Sequence, residues 1–335
     1  MIIPINLQNE SYNIIIESGL LGQLSKYVPR GGKTLIVTDS GVPSSYAQTV
    51  STNFANPFVY IIKQGEASKN SKNYLDLLKF MLDNGFTRKD RVIAVGGGVV
   101  GDLSGFVAST YMRGVDFYNV PTTFLSQVDS SIGGKVAIDM NGVKNCVGTF
   151  YQPKAVFIDP SVLKTLPERL LYTGLVESIK MAATYDAKLF ETIENSLDIL
   201  KDAETIIAGS LNIKKQVVEK DVKEAGLRRV LNFGHTVGHA IESFFDGTLY
   251  HGECVGIGML SLCSEQVADR IKALLEKFEL PTTAKANPEV LSNFIWHDKK
   301  AVDNHVVAVY VQTLGEFKFV NLTAKDIDKL TEKFA

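Results

Sequence analysis

The order of secondary-structure signals, more than any single motif, limits what this chain can become. Short apolar runs at 12–17, 33–38, 58–62, 91–95, 117–120 and 155–158 alternate with helix-period stretches such as 72–84 and 102–111. Alternation of that kind predicts an α/β domain built on a largely parallel sheet. After Asp159-Pro160 the pattern changes. Segments 167–186, 187–200, 203–221, 234–245, 252–266 and 269–280 read as helices, followed by a hairpin at 306–311 and 317–320 and a last helix at 326–334. The expected fold is an α/β nucleotide-binding domain over residues 1–158 and a mainly α-helical domain over residues 159–335. No Pro/Ser-rich linker, repeat or low-complexity tract lies between them, so the junction should be tight.

Composition removes several classes of function. Lys+Arg 35 against Asp+Glu 37 gives a net charge of -2, without the broad basic footprint of a nucleic-acid binder. No apolar run approaches the roughly 18 residues that cross a bilayer. The first ten residues lack the basic start and apolar core of a signal peptide. Three cysteines, none in a Cys-x-x-Cys, read as reduced thiols, and the expected location is the cytoplasm. Cys146 is expected to be a small buried residue.

Gly96-Gly97-Gly98-Val99-Val100-Gly101-Asp102 follows the apolar run 91–95 and opens a helix. Glycines at such a turn let backbone N–H groups approach a pyrophosphate, and the helix N-terminus adds partial positive charge. The same string also suits a plain tight strand-to-helix turn. His235 and His239 stand four apart on one helix face, with His251 further on. Such a pair with a distant third ligand suits a catalytic zinc, which keeps one coordination position open; polar lining of a helix interface is the alternative. Thr236 occupies the place of the glutamate in a His-Glu-x-x-His protease, so peptide hydrolysis has no evident base. Glu177 and Lys180 share a helix face. Their spacing alone fits an exposed ion pair, while the apolar stretch 179–184 points to a buried surface. Lys135, Lys144 and Asn145 fall in a Gly-rich polar segment, 126–148, which reads as a loop suited to an oxyanion or phosphate or as mobile surface. Arg113 and Arg228 are further cationic candidates.

Together these strings closely resemble the 3-dehydroquinate synthases, the cyclases of the shikimate pathway. The matching residues are Gly65-Glu66-Ala67-Ser68-Lys69, 96–102 continuing to Tyr111-Met112-Arg113-Gly114, Pro121-Thr122-Thr123, 127–135, Lys144-Asn145, Tyr151-Gln152-Pro153, Glu177 with Lys180, 228–242 and His251-Gly252-Glu253. The resemblance implies a dehydroquinate synthase-like fold, NAD+, one divalent metal (zinc or cobalt), a phosphorylated sugar acid as substrate, and a homodimer. It implies metal ligands Glu177, His235 and His251, and moves His239 from the metal to the substrate phosphate. It places NAD+ on Asp39, Glu66, Lys69, Gly97, Gly98, Val99, Val100, Gly101, Asp102, Thr122, Thr123, Asp129, Lys135, Lys144, Val162 and Thr165. It gives Lys135, Asn145 and His239 to the phosphate, with Arg113 reaching from a second subunit. The substrate carboxylate falls to Arg228, Lys214 and one of Lys299 and Lys300, and the reacting hydroxyls to Lys180 and Asn232.

This chain departs from the family pattern at one place. Val143 stands where a Gly usually precedes Lys-Asn, Met140-Asn141 replaces a common His-Pro, Asp139 a common Asn, and Val136 a common Thr. The conformation of 139–143 is therefore the open point. The implied reaction converts 3-deoxy-D-arabino-heptulosonate 7-phosphate to 3-dehydroquinate and phosphate by transient oxidation, elimination, re-reduction and aldol closure. Sister sugar-phosphate cyclases, metal-dependent polyol dehydrogenases and a non-catalytic nucleotide-binding regulator are the other readings.

Overall fold

The computed structural model describes residues 1–7, 10–222, 226–297, 301–302 and 305–335. The chain divides into two compact units, Met1–Leu166 and Pro167–Ala335.

The first unit is a seven-stranded sheet flanked by helices. Its strands are β1 (Ile2–Ile5), β2 (Tyr12–Ile16), β3 (Lys33–Asp39), β4 (Asn56–Ile62), β5 (Arg91–Gly96), β6 (Asp116–Pro121) and β9 (Ala155–Ile158), in the order β1-β2-β9-β6-β5-β3-β4. Only β1, which the sequence reading did not include, runs antiparallel to its neighbour. Every residue of β5 is buried, as expected of a central parallel strand covered on both faces. Its alternation sends Val92 and Ala94 to one core and Ile93 and Val95 to the other. On the first face pack α2 (Ser71–Asp83) and α3 (Gly98–Thr110); on the second, α1 (Ser44–Ser51) and the short helix Leu20–Lys26. The chain reverses direction across the sheet between β3 and β5. Ligands of open α/β sheets bind beyond the strand ends at such a switch point, and here those ends carry Asp39 and Gly96-Gly97-Gly98.

The sheet stops at Ile158, where the domain junction was expected, but the unit continues to Leu166. The 3-10 helix Pro160–Thr165 stays with it because Val162 is in the core and Tyr46 Oη lies 3.3 Å from Val162 O and 2.9 Å from Thr165 Oγ1. The segment 126–148, expected as a loop, contains a two-stranded hairpin, β7 (Lys135–Met140) and β8 (Val143–Phe150). Val136 and Ile138 drop into the core beneath it, and Asn141-Gly142 form its turn with φ of 51° and 78°. Two consecutive left-handed residues of this type make the tight hairpin turn that Asn-Gly favours. A Pro-free 139–143 segment thus folds as a β-turn.

The second unit is mainly helical: α4 (Glu168–Tyr185), α5 (Ala187–Asn195), α6 (Ile199–Lys220), α7 (His235–Phe245), α8 (His251–Leu260), α9 (Glu265–Lys277), α10 (Pro288–His297) and α11 (Ala324–Thr331). A three-stranded antiparallel sheet, β10 (Ala301–Val302), β11 (His305–Thr313) and β12 (Glu316–Leu322), contains the expected hairpin. Two of the expected helices were too long because caps cut them. Asp198 accepts from Leu200 N and Lys201 N to open α6, and Ser264 accepts from Val267 N to open α9. Among the described residues no helix is long and apolar enough to cross a membrane.

Helices α4, α7 and α8 approach unusually closely, and glycine makes this possible. A Cβ on Gly252 would lie 1.9 Å from Thr173 O, one on Gly258 2.1 Å from Gly234 O, and one on Gly238 2.9 Å from Cys254 O. Backbone therefore meets backbone across both interfaces. Gly258→Ala should lower the thermal midpoint by at least about 6–12 °C, or abolish soluble expression, because about 3 kcal/mol or more is lost when a methyl meets a carbonyl that cannot move. Gly31→Ala, whose Cβ would meet nothing within 4 Å, should leave the midpoint nearly unchanged. Equal midpoints for the two variants would contradict the packing account.

Candidate active site

In the second unit the close helices bring three side chains together. Glu177, on α4, is 1% exposed, and its Oε1 is buried without a hydrogen-bond partner. That oxygen lies 3.8 Å from His235 Nε2 and 3.7 Å from His251 Nε2. The opposite nitrogen of each ring faces an acceptor: His235 Nδ1 is 3.2 Å from Phe233 O, and His251 Nδ1 is 2.8 Å from Glu242 Oε2. Acceptors on Nδ1 place the ring proton there and leave Nε2 with its lone pair. Three lone pairs thus face one another. Ligands on a tetrahedral metal with bonds of about 2.0–2.1 Å stand roughly 3.4 Å apart, so the set is close to the size that a cation requires. Outer carbonyl and carboxylate partners of this kind are the usual support of metal-bound imidazoles.

His239 is also near. One ring nitrogen from each of His235, His239 and His251 fits within 4.8 Å of the others. Two donor sets therefore share His235 and His251; the unpartnered oxygen belongs to Glu177. Burial would lower the His251 pKa, but the Glu242 hydrogen bond and the Glu177 charge outweigh it and hold the value above the ordinary histidine range.

Lys180 Nζ donates to Glu177 Oε2, and both side chains are buried. The exposed-pair reading of Glu177 and Lys180 does not hold, because α4 is buried continuously from Thr173 to Thr184. Lys214 on α6 and Arg228 are 3% exposed. Arg228 donates from its backbone N–H to Asp221 Oδ2 at 2.9 Å and from Nη1 to Val222 O at 2.6 Å. Its turn, Leu227–Asn232, ends at Asn232 and packs on α4 and α6. Lys299 and Lys300 lie outside the described residues.

Three supporting residues had no role in the sequence reading. Glu242 falls on the same helical stripe as His235 and His239, three and four residues apart, and that spacing was the available signal. Glu253 is buried, accepts from Tyr250 N at 2.8 Å and caps α8, the helix that His251 begins. Arg169 grips it bidentately at 2.7 and 2.9 Å. Nothing in the sequence marked Arg169, which stands 84 residues away.

In the first unit the glycine turn opens α3 at the switch point. A Cβ on Gly97 would come 3.1 Å from Thr123 Cγ2, and one on Gly98 3.2 Å from Ser130 Oγ. Val100 and Val162 are turned into the core, so their backbones are what they can offer a ligand, whereas Val99 is partly exposed. At the end of β3, Asp39 accepts from Gly41 N at 2.7 Å and lines a cavity of about 710 Å³ with Ser40, Val42, Val59 and Ile61. Lys69 is buried beside three carboxylates: Glu66 at 2.7 Å, Asp102 at 3.3 Å and Asp139 at 4.0 Å. Burial opposes the Lys69 charge, but Asp102 and Glu66 overcome it and raise its pKa. Thr122 and Thr123 follow β6, and Asp129 sits in a single π-helical turn, Ser126–Ser130. Lys135 opens β7; Lys144 and Asn145 are exposed on β8, and Arg113 is exposed with φ of 66°. Cys146 is exposed too, not buried as expected, because it belongs to the outer strand of the hairpin.

The chain matches the family described as 3-dehydroquinate synthase N-terminal over residues 59–173 and that described as 3-dehydroquinate synthase C-terminal over 174–301. It is 43% identical over 330 residues to a 3-dehydroquinate synthase of Latilactobacillus sakei, covering 94% of this chain and 93% of that one. It is 38% identical over 348 residues to that of Clostridium acetobutylicum, covering 98% of each. Among solved structures, 2-deoxy-scyllo-inosose synthase complexed with carbaglucose-6-phosphate, NAD+ and Co2+ has the same fold, with a TM-score of 0.90 at 24% identity over 100% of both chains. A 2-epi-5-epi-valiolone synthase from Streptomyces hygroscopicus with NAD+ and Zn2+ bound gives 0.88 at 26% identity over 98% of both.

Burial pushes the Asp102 carboxyl up to about 6 from its ordinary 3.8, with Lys69 holding it down only in part. The folded chain therefore takes up a proton between those values, and ionised Asp102 subtracts from stability above pH 6. The deficit shrinks as the pH falls through 6 and is gone below about 4. Asp102→Asn should raise the thermal midpoint of the unliganded protein by several degrees at pH 7.5, with the gain vanishing near pH 4. A midpoint at or below that of the original chain at pH 7.5 would contradict this.

Proposed function

The chain belongs to the 3-dehydroquinate synthase family, and we propose that it converts 3-deoxy-D-arabino-heptulosonate 7-phosphate to 3-dehydroquinate and phosphate in the shikimate route to aromatic amino acids. The observation that carries this reading is the unpartnered Glu177 Oε1 facing two imidazole lone pairs. A donor set of one carboxylate and two imidazoles fits Zn2+ or Co2+ and leaves a position for substrate oxygen. Glu177, His235 and His251 would hold the metal. NAD+ would lie along Gly97, Gly98 and Asp102, with Asp39, Glu66, Lys69, Thr122, Thr123, Asp129, Lys144 and the 160–165 turn around it. When bound, NAD+ supplies a reversible two-electron oxidation, and the metal supplies Lewis-acid polarisation of a substrate oxygen.

The rest of the work belongs to the chain's own groups. Lys180, already a donor to Glu177, and Asn232 orient the reacting hydroxyls. Arg228 and Lys214 hold the substrate carboxylate, with Lys299 or Lys300 assisting. Both described cations are buried, which strengthens their attraction for an anion. Lys135, Asn145 and His239 hold the phosphate, and Arg113 approaches it from the second subunit of a homodimer. The departing phosphate removes the neighbouring proton itself, so no dedicated base is assigned. Catalysis then comes from orientation and fixed charge, in a cytoplasmic enzyme.

The test is phosphate release by the purified protein given the heptulosonate phosphate, catalytic NAD+ and zinc, with and without EDTA. Chelator-sensitive release in excess of the NAD+ supplied is the expected result. Net NADH accumulation, or no release while metal and NAD+ still bind, would overturn the reading.

A further inference from the structure

The hairpin that carries Lys144 and Asn145 is not zipped in a single register. Met140 pairs with Val143 across the turn, but Ile138 pairs with Val147, so Asp139 alone stands opposite Lys144, Asn145 and Cys146. The Asn141-Gly142 turn by itself would continue the ladder with 139 opposite 144 and 138 opposite 145. That register would draw Lys144 and Asn145 into regular strand positions. Instead Asn145 adopts a left-handed backbone, φ 54°, a region open to asparagine more than to other side-chain-bearing residues, and a side-chain hydrogen bond anchors it there.

Asp139 is what holds it. Its Oδ1 accepts the Asn145 backbone N–H at 2.7 Å. Its own N–H donates to Lys69 O at 2.8 Å, and its carboxylate lies 4.0 Å from Lys69 Nζ. The same residue thus anchors the bulge to the segment that presents the buried lysine. We propose that Asp139 is a positioning residue that fixes the bulge bearing Lys144 and Asn145 and ties it to Lys69, so that one carboxylate sets the geometry of both the phosphate-facing and the cofactor-facing groups of this unit. β-Bulges next to active sites commonly re-aim side chains in this way. The inference rests on the reading of Lys144, Asn145 and Lys69 given above.

The experiment compares Asp139→Ala, Asp139→Ser and Asp139→Asn as holoenzymes, using the KM for the heptulosonate phosphate, kcat, and inhibition by inorganic phosphate. Asp139→Ala should raise both KM and the phosphate inhibition constant about 10-fold, the scale of one lost hydrogen bond, while kcat changes by less than about 3-fold. Asp139→Asn keeps a carbonyl oxygen where Oδ1 stands and should remain within about 3-fold of the original chain in every constant. Asp139→Ser should fall between them, and carries the test if the alanine variant does not fold. Unchanged KM and phosphate inhibition in both the Ala and Ser variants would overturn the inference, as would an Asn variant as impaired as the Ala variant. An original chain that releases no phosphate from this substrate would instead overturn the proposed function, and this inference with it.

Discussion

The closeness of α4, α7 and α8 is the constraint on which the second unit depends. At Gly238, Gly252 and Gly258 no side chain fits between the helices, so each helix is placed by the backbone of its neighbour. This brings Glu177 to within 4 Å of two imidazoles that begin separate helices. Burying a carboxylate there is costly unless it is compensated. Lys180 compensates one oxygen, and the other is left for a cation. Arg169, Glu253 and Glu242 then fix the start of α8 and the orientation of the His251 ring. Small residues set the distance, and outer polar groups set the direction.

The first unit uses the same device differently. Its glycines stand at the turn between β5 and α3, at the sheet's switch point, where Thr123 and Ser130 come within contact of the positions a Cβ would take. Charge is concentrated beside the turn. The buried Lys69 gathers the more exposed Glu66, Asp102 and Asp139 around it, and the partial positive charge of the α3 N-terminus is close to the chain of Gly97 and Gly98.

Much of this was legible in the sequence because periodicity is local. The alternation up to residue 158 announced the parallel sheet, and the histidine spacing pointed to the helix face on which His235 and His239 come together. The reading failed where the deciding contact is distant or the signal short. β1 has four residues and is fixed by pairing with β2 and by burial of Ile3 and Ile5. The β7–β8 hairpin looked like a loop because only Val136 and Ile138 reach the core from β7, while β8 is exposed along nearly its whole length. His239 illustrates the limit of spacing: it shares a face with His235, yet the oxygen lacking a partner is on α4, 58 positions before His235 by chain numbering. A helix-face rule sees one helix and cannot see its neighbour.

The central claim is that Glu177, and not His239, completes the metal site. Zn2+ titration of chelator-stripped protein against a chromophoric competitor tests it directly. The account predicts one tight equivalent per chain, a loss of about 100-fold in affinity for Glu177→Gln, and an affinity within about 3-fold of the original for His239→Ala. An unchanged affinity in Glu177→Gln, or loss of the site in His239→Ala, would contradict it.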